Sequence, residues 1–152
     1  MEKTIELNGK ELKFKSSAAT NILYKRTFKE DILVKLTSYT KNLKELKAMQ
    51  AKANALQTDT RPKEEIAEDL NNIIKSDVLE AVSTFSSETL PKLAYVMYVE
   101  ANESAATIFS KLNEEAYLVW LMGIDQDELL SVTGQVMDIW TAGARNQSKP
   151  KN

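Results

Sequence analysis

The chain has 152 residues, 43% of them apolar and 28% charged, with a formal net charge of −2, which is ordinary for a globular protein with its own core. It contains neither cysteine nor histidine, which excludes disulfides, thiolate nucleophiles, imidazole bases and Cys- or His-ligated metals. No apolar run approaches the roughly 20 residues of a membrane span, and residues 1–4 contain no signal-peptide core.

The charges are distributed unevenly along the chain. Residues 1–56 hold 12 Lys/Arg and 6 Asp/Glu, whereas residues 57–152 hold 8 and 16. A basic half and an acidic half can dock on each other, or head-to-tail between copies. The alternative is that both are solvated helix faces. From this uneven distribution of charge we predict a homo-oligomer.

The clearest local signal is a β-hairpin over residues 3–15. Asn8-Gly9 accepts the positive φ of a type I′ turn, and apolar residues alternate with polar ones on either side of it. The predicted cross-strand pairs are Leu7 with Lys10, Ile5 with Leu12, and Lys3 with Phe14. The shared apolar face needs a cover, most simply the helices predicted over residues 16–36.

Helical periodicity dominates the rest of the chain. Ser16 or Ser17 can cap a first helix, and Asp31 can cap a long amphipathic helix with lysine-rich flanks. After a polar break at 57–62, an amphipathic pattern continues to Phe85. Pro91 disfavours helical backbone just before it, so a boundary is predicted at 86–91.

Two later segments, 93–99 and 117–122, are apolar on every side and are predicted to form the helical core. Gly123 ends the second of them, and Asp125 with Glu128 fits a capping box that opens the last helix. The inner face of that helix is predicted to comprise Leu129, Val132, Val136, Ile139 and Trp140. The fold class is therefore mainly α, about six helices with an N-terminal two-stranded β-hairpin. We expect one domain over 1–143 and a disordered polar tail over 144–152.

The sequence offers little for catalysis. The acidic residues at 64–69 open a helix, where acids are expected because of the helix dipole. Asp125 and Asp127 resemble the start of an EF-hand loop, but Leu129 and Leu130 stand where that loop requires an oxygen ligand and a glycine. There is no glycine-rich phosphate loop. We therefore predict no catalytic residue, metal site or cofactor, and a protein that is not an enzyme.

An alternative is a small helical regulatory protein that binds nucleic acid through its lysine-rich N-terminal half. The acidic second half and the lack of a recognisable binding motif argue against it. The lysines that would contribute are Lys10, Lys13, Lys15, Lys41, Lys44, Lys47 and Lys52.

Aromatic and methionine side chains cluster in the apolar segments, and most of them are expected in the core. Two helices that are apolar all round nevertheless exceed what a domain of this size easily hides. Methionine and tryptophan suit an adaptable surface for another chain. The predicted partner-binding residues are Tyr98, Trp120, Met122, Met137 and Trp140.

Several segments together resemble the tail assembly chaperones of long-tailed (siphovirus-type) phages and prophages of Gram-positive bacteria. The resemblance is spread over most of the chain, including the last helix and its basic tail. At the start of the chain it rests on Ile5–Lys10, Phe14–Thr20, Tyr24, Phe28, Asp31–Leu33 and Leu36. Farther on, it rests on the apolar helix at Leu93–Met97 and on the acidic-then-tryptophan segment at Glu115–Leu121.

The resemblance implies a non-enzymatic role in the host cell cytoplasm. Such chaperones bind the long, aggregation-prone tape measure protein, keep it soluble, recruit tail tube subunits and are absent from the mature virion. Many are made in two lengths by a programmed ribosomal frameshift. Pro150-Lys151-Asn152 can be encoded with the slippery heptamer A-AAA-AAC, and we expect the slip there. An AAG codon for Lys151 would rule this site out.

Overall fold

The computed structural model describes residues 1–7 and 9–148. It confirms a mainly α fold with an N-terminal two-stranded antiparallel hairpin. Within the described residues, seven helices have nine or more residues and one is a single turn. The strands are β1 (Glu2–Leu7) and β2 (Lys10–Lys15), and the helices are α1 (Thr20–Phe28), α2 (Ile32–Ala55), α3 (Lys63–Ile73), α4 (Ser76–Thr84), α5 (Leu90–Asn102), α6 (Ile108–Lys111), α7 (Glu114–Met122) and α8 (Gln126–Ser148).

The hairpin has the predicted register. Leu7 pairs with Lys10, and the pairing continues without a bulge to the far ends of both strands. Gly9 has a φ of 79°, which glycine adopts without strain; Asn8 lies outside the described residues. Ile5, Leu7 and Phe14 are buried on one face, because turn chemistry and apolar alternation select the same pairing.

The cover of the hairpin differs from the prediction. Helix α5 packs on β2 and α8 packs on β1, instead of the helices of residues 16–36 serving as the main lid. Phe14 meets Tyr98 of α5 at a ring-centroid distance of 6.1 Å. The side-chain amide of Asn102 also donates to the carbonyl oxygen of Lys13 at 3.0 Å. Because α5 is apolar on all sides, it contacts the hairpin, α1 and α8 at once.

The chain divides into two compact units, where the sequence predicts one domain over 1–143. One unit comprises residues 1–33 with the chain from Ser86 onward, and the other comprises Val34–Phe85. The second unit buries Met49, Val78 and Phe85, and Tyr39 stacks on Phe85 at 4.1 Å. Because their apolar stripes are narrow, the helices of this second unit pack around a small core of their own.

Two helix boundaries also differ from the prediction. The amphipathic run after Pro62 is two helices, because the backbone is extended at Ile74 and Lys75 between α3 and α4. Conversely, the helical backbone continues through residues 86–91, where the sequence predicts a boundary. A π-helical turn at Phe85–Thr89 leads directly into α5. Pro91 is the second residue of α5 and directly follows this π-helical turn, and it leaves one backbone N–H out of the helical hydrogen-bond pattern there.

The last helix is longer than predicted. Helix α8 continues to Ser148, whereas the sequence predicts a disordered tail from residue 144, and residues 149–152 lie outside the described part of the chain. The helix continues through Gly143, which packs closely against Ser16. No helix-breaking residue follows it before Pro150.

Candidate partner-binding surface

A continuous series of aromatic rings fixes α7 in the first unit. The series runs from α1 through α7 and α5 to the hairpin, with neighbouring ring centroids 5.2–6.1 Å apart. Its members, in order, are Tyr24, Phe28, Tyr117, Tyr95, Trp120, Tyr98 and Phe14. Helix α7 contributes two rings spaced three residues apart, so both point to one side of the helix. Pairs of this kind add specific geometry to ordinary apolar burial.

The opposite side of α7 is an exposed apolar surface. Leu118, Val119 and Met122, which we call the α7 face, are 56%, 68% and 86% exposed. The prediction that 117–122 is core is therefore wrong for the outer half of this helix, whereas α5 is buried as predicted. An all-round apolar helix is buried only where neighbours cover every side. Here Tyr117 and Trp120 occupy the covered side.

A groove adjoins the α7 face and ends at the hairpin. Its volume is about 480 Å³, and its lining combines apolar side chains with one lysine and one glutamate. Val119 belongs to both the groove and the α7 face, so the two form one continuous surface. We call this cavity the hairpin groove; its lining includes Leu7, Leu12, Tyr98, Trp120, Ile124, Lys10 and Glu128.

Hydrogen bonds at both ends of α7 hold this surface in place. Asn113 caps the helix, its side-chain oxygen accepting from the N–H of Ala116 at 2.8 Å. Beyond the other end, Glu128 accepts from the N–H of Asp125 at 3.4 Å, which is one of the two hydrogen bonds of the predicted capping box. The corner between α7 and α8 is thus built from local signals that the sequence carries.

The predicted partner-binding residues do not all lie on this surface. Tyr98 and Trp120 meet at 5.6 Å in the groove, and Met122 is on the α7 face. Met137 is half-buried on α8. Trp140 is buried, and its indole N–H donates to the Asn21 side chain at 2.9 Å. It belongs to the inner face of α8 and offers no surface to a partner.

Two exposed side chains of the α7 face were not predicted as binding residues, namely Leu118 and Val119. Glu115 gave the signal that identifies them. An acid within an apolar helix marks its solvent side, and residues three and four positions later share that side. Glu115 is exposed, as this reasoning requires.

A half-buried carboxylate, Glu100, also escaped the sequence reasoning. Thr20 and Ser17 donate their hydroxyls to its two oxygens at 3.0 and 3.2 Å. Burial raises the pKa of Glu100, and these two hydrogen bonds oppose that rise. The carboxylate joins α5 to the beginning of α1, which is a structural role. An acid at the end of the buried apolar run of α5 was the signal in the sequence.

The buried phenols of the aromatic series remain protonated at neutral pH. Burial raises the pKa of Tyr117 to about 12, and the charge of Glu88 adds to this rise. Burial, followed by the charge of Glu30, raises the pKa of Tyr24 well above its usual range. The Tyr24 hydroxyl donates to Glu30 at 3.0 Å. Tyr117 and Tyr24 are therefore neutral rings near physiological pH.

The described residues contain no group of three or more acidic side chains that could hold a metal ion. Within the same part of the chain, no helix combines the length and apolarity needed to cross a bilayer. Comparison with known proteins yields no relative: no protein-family model, curated protein or solved structure matches the chain.

Proposed function

We propose that this protein is a phage tail assembly chaperone. It binds the tape measure protein in the host cytoplasm, keeps it soluble, recruits tail tube subunits, and leaves before the virion is complete. The observation that supports the binding step is the exposed α7 face, continuous with the hairpin groove. The resemblance of the sequence supplies the identity of the client.

An exposed apolar patch on a folded domain is typical of a partner-binding site. The α7 face presents anchors at helical spacing beside a groove, which suits a helix-in-groove contact. A tape measure protein is a long helical chain, so several chaperone copies could bind it side by side. Multivalency then gives stable coverage from individually weak contacts.

We expect Val119→Glu to reduce the soluble yield of the tape measure protein when the two are co-expressed. The charge would stand in the middle of the apolar surface, where it would lose hydration on binding. The matched control is Ile22→Glu on α1, because Ile22 and Val119 are 69% and 68% exposed. The measurement is the soluble fraction of the product of the long reading frame beside the gene.

A client that stays equally soluble with wild type, Val119→Glu and Ile22→Glu would show that the α7 face does not bind it. A client whose solubility is the same with and without the wild-type chain would contradict the chaperone function itself. Both variants change exposed residues, so circular dichroism should show wild-type folding for each.

We also propose that the chain forms a homo-oligomer through its second unit. Residues 34–58 of that unit carry five lysines and one glutamate, and residues 59–85 carry seven acids and three basic residues. Residues 34–85 are all described, and their ion pairs are those of Arg61 with Asp59 and Asp69. The exposed lysines of α2 and the exposed acids of α3 are thus free to pair between copies. These residues are Lys41, Lys44, Lys47, Glu64, Glu65 and Glu68.

Two charge-reversed variants test this association. One replaces the three α2 lysines by glutamate, and the other replaces the three α3 glutamates by lysine. We expect the wild type to show a mass above the monomer in light scattering at low salt, and this mass to fall as salt screens the charges. Each variant alone should be monomeric, and an equimolar mixture should recover the larger mass. A wild type that stays monomeric at low salt and high concentration would refute the proposal.

The nucleic-acid alternative has weaker support. Three of its seven lysines are on the hairpin and four are on α2. On the hairpin, Lys15 stands opposite Glu2, and Glu11 is on the same strand, so this surface carries both signs of charge. Binding of DNA or RNA that weakens steeply with salt would favour the alternative.

A further inference from the structure

The α7 face lies in a long stretch of the chain that has no positive charge. Residues 112–143 contain six Asp/Glu and no Lys/Arg. Glu115 precedes Leu118, Val119 and Met122 by three, four and seven positions, so it lies on the α7 face itself. At the other end, Asp125 and Asp127 follow the helix and are exposed. The apolar strip therefore has acids at both ends.

These acids are available to a partner. Glu115 and Asp127 form no ion pair among the described residues, and both side chains are exposed. The lining of the hairpin groove includes one positive side chain, Lys10, and one negative side chain, Glu128. The groove itself is therefore close to neutral. The excess negative charge thus belongs to the α7 face and to the corner after it.

We propose that the α7 face and hairpin groove bind an amphipathic helix whose apolar side is flanked by lysine or arginine. This rests on the proposed function, since it names the chemistry of the client segment. Apolar anchors would supply the affinity, and the acids would select the partner by sign of charge. Charges at the edge of an apolar contact act mainly in this way, through selectivity and rate of association.

The spacing of the acids sets the length of the matching segment. Glu115 and Met122 are about 10 Å apart along the helix axis, and Asp125 and Asp127 lie just beyond. A client helix of three to four turns therefore covers the strip if basic residues occur near both ends of its apolar side. A helix with acids in those places would meet like charge at both ends.

Two synthetic fluorescent peptides test the proposal directly. Both form the same helix with the same leucine face; one has lysines beside that face and the other has glutamates. Anisotropy titration with the full chain at low salt should show that the lysine peptide binds more tightly, by about tenfold. Added salt should narrow the difference. A lysine peptide of the same composition but scrambled order, without an apolar face, controls for attraction by charge alone.

Charge reversal on the chain identifies the surface. The double variant Glu115→Lys with Asp127→Lys should lower the affinity for the lysine peptide about fivefold to tenfold and raise the affinity for the glutamate peptide. The matched control is Asp77→Lys with Glu80→Lys on α4, two exposed acids outside both proposed surfaces, which changes the net charge by the same amount. Val119→Glu should weaken both peptides, because it disrupts the shared apolar contact.

Equal affinity for the two peptides would overturn the proposal, as would failure of both to bind. An equal effect of the two charge-reversed pairs would also overturn it, because net charge alone would then explain the preference. Failure of this inference is distinct from failure of the chaperone function. If Val119→Glu lowers the solubility of the client but the two peptides bind with equal affinity, the chaperone function is supported and only the charge selectivity is refuted.

Discussion

Phe14→Ala is expected to lower the free energy of unfolding by about 3–5 kcal/mol, as for other large aromatic side chains removed from a core. Phe14 is fully buried between the hairpin and α5, at the end of the aromatic series next to Tyr98. A cavity there removes contacts from both elements, because α5 is the main cover of β2. Urea denaturation monitored by circular dichroism measures the effect.

Lys13→Ala is the control for this prediction. Lys13 is next to Phe14 on the same strand but points to the other face and is exposed. Its carbonyl oxygen, which accepts from Asn102, is unchanged by the substitution. We expect a change within about 0.5 kcal/mol. Equal losses from the two substitutions would mean that the hairpin does not bury the face described here.

The hairpin illustrates which features the sequence can predict. Its register follows from contacts between neighbours in the chain, a turn at Asn8-Gly9 and strict alternation on both strands. Its cover is α5, about 80 residues farther along the chain, and no local pattern identifies that partner. The interval contains α1 and α2, which are closer in sequence and amphipathic, so proximity alone favoured the wrong lid.

Helices α5 and α7 show a second limit of sequence reasoning. Both are apolar on all sides, and that pattern predicts burial for each. The hairpin, α1 and α8 surround α5, whereas the aromatic contacts of α7 are made by Tyr117 and Trp120 on one side of the helix. Hydrophobicity gives the amount of apolar surface that needs a contact. It does not say whether the contact comes from the same chain.

The candidate site was only partly predictable for the same reason. Trp120 and Met122 were selected by residue type, and they do belong to the exposed surface or its groove. Trp140 was selected in the same way, although the spacing of the last helix already placed it on the inner face with Val136 and Ile139. Periodicity is a better guide here than residue type, because it carries directional information.

Gly143→Ala is expected to destabilise the protein, although alanine is normally the better helix former. A Cβ atom on Gly143 would stand 2.5 Å from Ser16 Oγ and 2.9 Å from Ser16 Cβ. Ser16 is buried, and its N–H donates to the Met1 carbonyl at 2.8 Å, so it has little freedom to move away. The overpacking cost, less the gain in helix propensity, gives a loss of about 1–2 kcal/mol.

Gly134→Ala on the same helix is the matched control. Nothing lies within 4 Å of a Cβ at Gly134, so we expect only the helix-propensity gain of about 0.5–1 kcal/mol. The two substitutions should therefore move the urea midpoint in opposite directions.

The double variant Ser16→Gly with Gly143→Ala identifies the cause of the loss. Ser16→Gly removes the two side-chain atoms that clash and leaves the Ser16 carbonyl oxygen at an ordinary 3.6 Å. We therefore expect the second substitution to be better tolerated in the glycine background than in the wild type, with a coupling of about 1 kcal/mol or more. Additive losses would show that Gly143 is required for a reason other than the approach of α8 to Ser16. That approach joins the last helix to the end of β2, so its loss should also loosen the hairpin that α8 and α5 cover.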